Sequence, residues 1–333
     1  MPRLAVYYNS SMSYQEYAQL VAQSKYLEAA RFAEQQAESG RESHESGEFW
    51  LTQQARALSR AGEYKAALEV GQRALNLAPD NTFAVAATAD ALLGLKRLEE
   101  ALGHYEELLH SPRLLHQGRK GVLECLAGAK RWEQLLERLS GWNLPEEQSL
   151  PWRVKAISAL GRSEEALESC RRWLELRPHY PSALWQSVEL EIRVNTLEAT
   201  VEKAGRLARI PSLPQVYREI YASLCRRAGK PEEAVKAYET IGAEGEQGRI
   251  QKKKAFTLAK SGREQEALPL LEELLKSEPA DKYLHSSYAA ACRRTGELER
   301  AINFYNRLLT LHPEERSLYG RIKGMQNKLE ERG

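Results

Sequence analysis

The sequence predicts an all-α fold, a solenoid of antiparallel helix pairs of about 34 residues stacked in single file, and three regularities carry that prediction. Prolines 79, 112, 145, 178 and 211 recur at a step of 33, and Pro279 and Pro313 resume the beat after one missing member near Gly245. Gly62, Gly161, Gly229, Gly262 and Gly296 each stand five residues before an alanine: Ala67, Ala166, Ala234, Ala267 and Ala301. Four residues beyond that small slot, one turn further along the same face, comes a bulky residue in several copies, Tyr105, Tyr238, Leu271 and Tyr305. Small against large is how packed helices interlock. A pair this small has two apolar faces and cannot bury both alone, so it needs copies of itself on either side.

Residues 1–12 have no helical period. Segment 10–43 places Tyr26, Ala29 and Ala33 on one face and reads as a degenerate first pair, within an N-terminal segment of residues 1–47. GRESHESG at 40–47 is polar and turn-rich and reads as a connection to the tandem repeats of residues 48–315. The pattern is clear in units 48–81, 82–115, 215–247, 248–281 and 282–315. Units 116–146, 147–180 and 181–214 keep the period and the proline but depart from it. Leu135 fills the small slot in the first of these, Thr200 in the last, and Asn195 replaces the turn glycine there. LPEEQSLP at 144–151, IPSLP at 210–214 and GAEGEQG at 242–248 read as joints. In the final unit, Tyr288, Ala289 and Cys292 precede the turn Thr295-Gly296-Glu297, and Leu298, Ala301, Ile302, Tyr305, Leu308 and Leu309 follow it at helical spacing until Pro313 ends the second helix. Residues 316–333 carry Leu318, Ile322, Met325 and Leu329 on one face and read as a C-terminal capping helix with a polar back.

Gly-x-Tyr-x-x-Ala-Leu from Gly62 to Leu68, followed by Ala74, Leu75 and Pro79, resembles the tetratricopeptide repeat. The resemblance implies a right-handed superhelix of about nine hairpins that lines a concave groove with first-helix residues and holds a protein or peptide there. A solenoid has no central core to outgrow, so 333 residues are compatible with one elongated domain.

Composition narrows the function. A net charge of +2 calls for neither nucleic acid nor an anionic membrane. Cys125, Cys170, Cys225 and Cys292 form no Cys-x-x-Cys pair and sit where core residues are expected, which points to free thiols and a cytoplasmic, reducing location. No stretch approaches a membrane span, and the apolar run in MPRLAVYYNSS is too short for a secretion signal. Gly229-Lys230 is followed by Pro231 and makes no phosphate loop. His104 and His110 are six apart, where a helical zinc site needs three or four, so no metal is expected. The acid pairs Glu99-Glu100, Glu164-Glu165 and Glu232-Glu233 recur after the interhelix turn, where negative charge suits a helix N-terminus, and need no catalytic reading. With no nucleophile beside an evident base, the expectation is a non-enzymatic scaffold without cofactor.

First-helix residues outside the hairpin contact show a charge bias. Arg60, Arg227, Lys260 and Arg294 lie two residues before the turn glycine, and Arg226 and Arg293 one residue earlier. Arg249 and Lys252 add charge further back, with Phe256 and Tyr283 as apolar contacts. They predict a basic trough in the C-terminal half for an acidic segment or a terminal carboxylate, although cations ending a first helix also complement its dipole. The Lys-and-Asn clamp for chaperone tails is missing, since the matching positions hold Lys252 and Phe256, then Ser286 and Ala290. Two rivals remain open. An RNA-binding helical repeat would need more stacking aromatics, and a peptide-responsive sensor would hinge at 144–151 or 242–248. Self-association through a poorly capped terminal repeat is a further expectation.

Overall fold

The computed structural model describes residues 13–39, 44–241 and 247–331. The expectations for residues 1–12, for 40–43 of the polar connection and for 242–246 of the glycine-rich joint lie outside the described residues. Among those described, every regular element is a helix and there is no strand.

The chain divides into two compact units, Met1–Arg162 and Ser163–Gly333. The first contains α1 (residues 13–22), α2 (Tyr26–Ser39), α3 (His44–Ala61), α4 (Tyr64–Leu77), α5 (Thr82–Gly94), α6 (Leu98–Glu107), α7 (Leu115–Gly128), α8 (Trp132–Gly141) and α9 (Glu146–Ala159). The second contains α10 (Ser163–Leu176), α11 (Pro181–Val194), α12 (Leu197–Ala208), α13 (Val216–Arg227), α14 (Pro231–Glu239), α15 (Gln247–Lys260), α16 (Glu264–Ser277), α17 (Lys282–Thr295), α18 (Leu298–Leu311) and α19 (Ser317–Glu330). From α2 to α9, and again from α10 to α19, each helix packs on the next. First helices also meet across the repeat: α3 with α5, α5 with α7, α11 with α13, and α15 with α17. The two units are thus built from neighbour contacts, as a stack requires.

The small slot is the most regular feature of the packing. Ala67, Ala101, Ala166, Ala234, Ala267 and Ala301 are fully buried, and so is Ala29 of the leading pair. A methyl group lets two helix backbones approach closely, and the aromatic four residues later fills the space beside it. Tyr105, Tyr238 and Tyr305 are accordingly buried. The leading helices join the same packing: Ala29, Ala30, Ala33 and Ala37 of α2 pack with Trp50, Leu51, Ala55 and Ala57 of α3. The Tyr17 hydroxyl of α1 donates to the Gln53 carbonyl at 2.9 Å. At the other end, Leu318, Ile322 and Met325 of α19 are buried with Phe304 and Tyr305 of α18 in one cluster. All four cysteines are buried free thiols, and burial pushes Cys125, Cys170 and Cys292 up to about 11.

The turn between paired helices needs one residue with positive φ, which glycine adopts without a Cβ penalty. Gly62, Gly161, Gly229, Gly262 and Gly296 take it, with φ between 71 and 85. Ser24, Lys96 and Lys130 adopt the same left-handed conformation at the equivalent place, each five residues before its slot. Their side chains bear the strain that the glycines avoid. Lys130→Gly is expected to raise stability by about 0.5–1 kcal/mol, the relieved strain exceeding the extra entropy of the unfolded chain. Urea unfolding checks it, and an unchanged or lower midpoint would refute the account.

One joint differs from its sequence reading. Only the first two residues of LPEEQSLP, 144 and 145, lie between α8 and α9, because α9 begins at Glu146 and carries Pro151 inside it. The Pro145 carbonyl accepts from the Gln148 and Ser149 amides at 2.9 and 3.1 Å. Pro151, at the sixth position, forgoes a single helical hydrogen bond, a loss the flanking packing of Leu150, Val154 and Ile157 absorbs. IPSLP is irregular, as read.

Candidate functional site

In the N-terminal unit the first helices α3, α5, α7 and α9 line an open groove of about 940 Å3. The lining positions follow from the repeat. Arg56, Asp90, Glu124 and Lys155 each stand six residues before the left-handed turn residue of their pair, at 62, 96, 130 and 161, so the stack brings them to one wall. Arg60, Lys96 and Lys120 join them, giving five cations in the lining against the two carboxylates.

Those carboxylates are already engaged. Tyr105 donates its hydroxyl to Asp90 at 2.6 Å, and Gln117 Nε2 donates to the same group at 3.1 Å. Burial and then the Asp90 charge push the Tyr105 phenol far above its ordinary value, so it remains a donor at any physiological pH. Glu124 pairs with Lys120 at 3.7 Å. The side chains of Arg56, Arg60, Lys96 and Lys155 have no hydrogen bond or ion pair among the described residues, while Lys155 lies 5.5 Å above the Trp152 ring. Close approach shapes the floor: a Cβ on Gly121 would meet the Tyr105 ring at 2.3 Å, and one on Gly94 the Tyr64 ring at 2.2 Å.

The cations expected in the C-terminal half are arranged differently. Arg227 of α13 pairs with Glu189 of α11. Arg249 of α15 pairs with Glu219 of α13 at 2.7 Å, and Lys253 reaches the same carboxylate at 3.6 Å. Lys252 bridges Glu278 and Asp281, both at 2.6 Å, and Asp281 in turn caps α17 through the Tyr283 and Leu284 amides. Burial works to lower the Lys252 pKa, but its bonds to Asp281 and Glu278 outweigh burial and hold it above the ordinary lysine value. Arg294 pairs with Glu264 at 2.7 Å and donates to the Ala259 carbonyl at 2.6 Å. Arg293 donates to the Ala289 carbonyl of its own helix. Phe256 packs against the core cluster, and Tyr283 stands 79% exposed. Arg226 and Lys260 are exposed and, like Arg60 in the other unit, have no bonded partner among the described residues. Sequence reasoning named Arg60 but passed over Arg56, Lys120 and Lys155. The signal was present, because Arg56 lies one turn before Arg60 and shares its register with Lys155.

Residues 52–113 and 258–325 match family models described as tetratricopeptide repeat. The chain is a tetratricopeptide repeat protein. Its repeats make it a protein-interaction scaffold in the general sense, and no helix among the described residues is long and apolar enough to cross a membrane. No curated protein matches it. Solved structures similar to this tetratricopeptide repeat chain include the TPR domain of P58(IPK), at 14% identity over 97% of this chain and 99% of that one, with a TM-score of 0.30. A tetratricopeptide repeat protein from Parabacteroides merdae is 16% identical over 84% of this chain and 98% of that one, with a TM-score of 0.42. The MamA protein is 12% identical over 52% and 94%, with a TM-score of 0.39.

Proposed function

We propose that the protein is a non-enzymatic adaptor whose concave first-helix surface holds an acidic segment of a partner protein. The observation that carries this reading is the set of unpaired cations in the groove of the N-terminal unit, Arg56, Arg60, Lys96 and Lys155. Unpaired cations facing a shared hollow attract an anionic chain and orient it, since Arg and Lys there are not already spent on internal carboxylates. In the C-terminal unit Arg226 and Lys260 remain available, whereas Arg227, Arg249, Lys252 and Arg294 are occupied by the unit's own acids. The acidic-segment reading therefore moves from the C-terminal half to the N-terminal unit.

The test is fluorescence anisotropy of the full chain with labelled Glu-rich and Lys-rich degenerate decapeptides at low and moderate salt. The Glu-rich pool is expected to bind and to weaken with salt, and Arg56→Gln/Arg60→Gln to reduce its affinity at least tenfold. Equal binding of the two pools would overturn the reading.

A further inference from the structure

Resting on that reading of the groove, we infer that its Arg56–Arg60 end seats a phosphoryl group, so that the preferred partner segment is phosphorylated and not merely acidic. Arg56 and Arg60 lie four residues apart on α3, hence one turn apart on one face, and both line the groove with Lys96 of the following turn. None of the three side chains has a hydrogen bond or ion pair among the described residues.

Two facts separate this end from ordinary surface charge. Arg60 falls in the last turn of α3, where a cation complements the helix dipole, but Arg56 lies outside that turn and gains nothing from it. The chain also shows how it treats structural arginines: Arg227, Arg249 and Arg294 are each set against a carboxylate of a neighbouring element. Of the two groove carboxylates, Asp90 stands on α5, which packs on α3, and it is held by Tyr105 and Gln117 instead.

Charge arithmetic then favours phosphate over carboxylate. Arg56, Arg60 and Lys96 face one internal negative charge, Asp90, whose bonds from the neutral Tyr105 and Gln117 leave that charge in place, so a single ligand carboxylate with its two oxygens would still leave about one positive charge and one guanidinium fork unmet. A phosphoryl group at neutral pH carries about −1.5 to −2 and three acceptor oxygens, enough for both forks and the ammonium. Glu124 and Lys120 are paired further along the groove, so the excess positive charge concentrates at the phosphoryl seat and at Lys155.

The experiment measures anisotropy of the full chain with three labelled degenerate decapeptide pools whose fixed central residue is phosphoserine, Glu or Ser, and with a labelled decauridylate. Phosphoserine is expected to bind at least tenfold tighter than Glu, and Glu tighter than Ser. Arg56→Gln/Arg60→Gln is expected to erase the phosphoserine advantage, while Arg226→Gln/Lys260→Gln leaves it intact. Circular dichroism melts of both variants check the fold, which matters most for the half-buried Arg56. Equal affinity for the phosphoserine and Glu pools, with both lost in Arg56→Gln/Arg60→Gln, would overturn the phosphoryl inference and leave the acidic-segment reading standing. No binding of any peptide pool would overturn both, as would decauridylate binding tighter than the phosphoserine pool.

Discussion

Leu135→Ala is expected to lower the stability of the N-terminal unit by about 2–5 kcal/mol, even though alanine is what most other repeats carry at that slot. Leu135 is fully buried and shares its cluster with Leu126, Leu139, Cys125 and Ala156. The surrounding side chains have closed around a branched residue, so truncation leaves a hollow instead of restoring a consensus contact. The cost joins the lost transfer free energy to that of the void. Urea unfolding followed by tryptophan fluorescence would report it, since Trp132, Trp142 and Trp152 pack against the same cluster. A loss below 1 kcal/mol would mean that α7 and α8 slide together to fill the space.

Gly121→Ala is the second large effect, and it couples stability to the groove. A methyl there would stand 2.3 Å from Tyr105 Cδ1. The ring cannot swing aside freely, because it is 1% exposed and its hydroxyl is committed to Asp90. Overpacking alone costs about 1–3 kcal/mol. Breaking the hydrogen bond to the charged carboxylate to make room would add roughly 1.5–3 kcal/mol. Gly103→Ala is the control, since a Cβ at that position meets nothing within 4 Å and better helix propensity should raise stability by up to about 1 kcal/mol. Similar midpoints for the two variants in thermal unfolding would contradict the close approach of α6 and α7.

Much of the fold could be read from the residues. The glycine turns, the buried alanine slot and the tyrosine beyond it are local and periodic, and they locate helix pairs without long-range information. Tyr26, Ala29 and Ala33, set on one face by their spacing, belong to α2, and both alanines are buried. The turns at Lys96 and Lys130 were not, because a lysine gives no sign that its backbone is left-handed. Only the position five residues before Ala101 or Leu135 betrays it. A proline near a helix start is tolerated, so the joint at 144–151 is shorter than its bracketing prolines suggest and Pro151 falls inside α9. The candidate site was harder still. Whether Arg227 or Arg56 is available depends on which carboxylate a neighbouring element presents, and Glu189 lies 38 residues from Arg227. Helix periodicity assigns a face; it does not reveal what stands opposite.

The ion pairs of the C-terminal unit have a consequence for how such a chain can change in length. Glu219, only 6% exposed, sits in α13 and receives both its cations from α15, while Lys252 of α15 holds the acids that precede α17. Excising residues 248–281 in frame would keep the helix beat but leave the buried Glu219 carboxylate without either of its cations, which destabilises the unit. Modules that look alike by period are thus keyed to their neighbours, and gain or loss of one by recombination must carry its countercharges along.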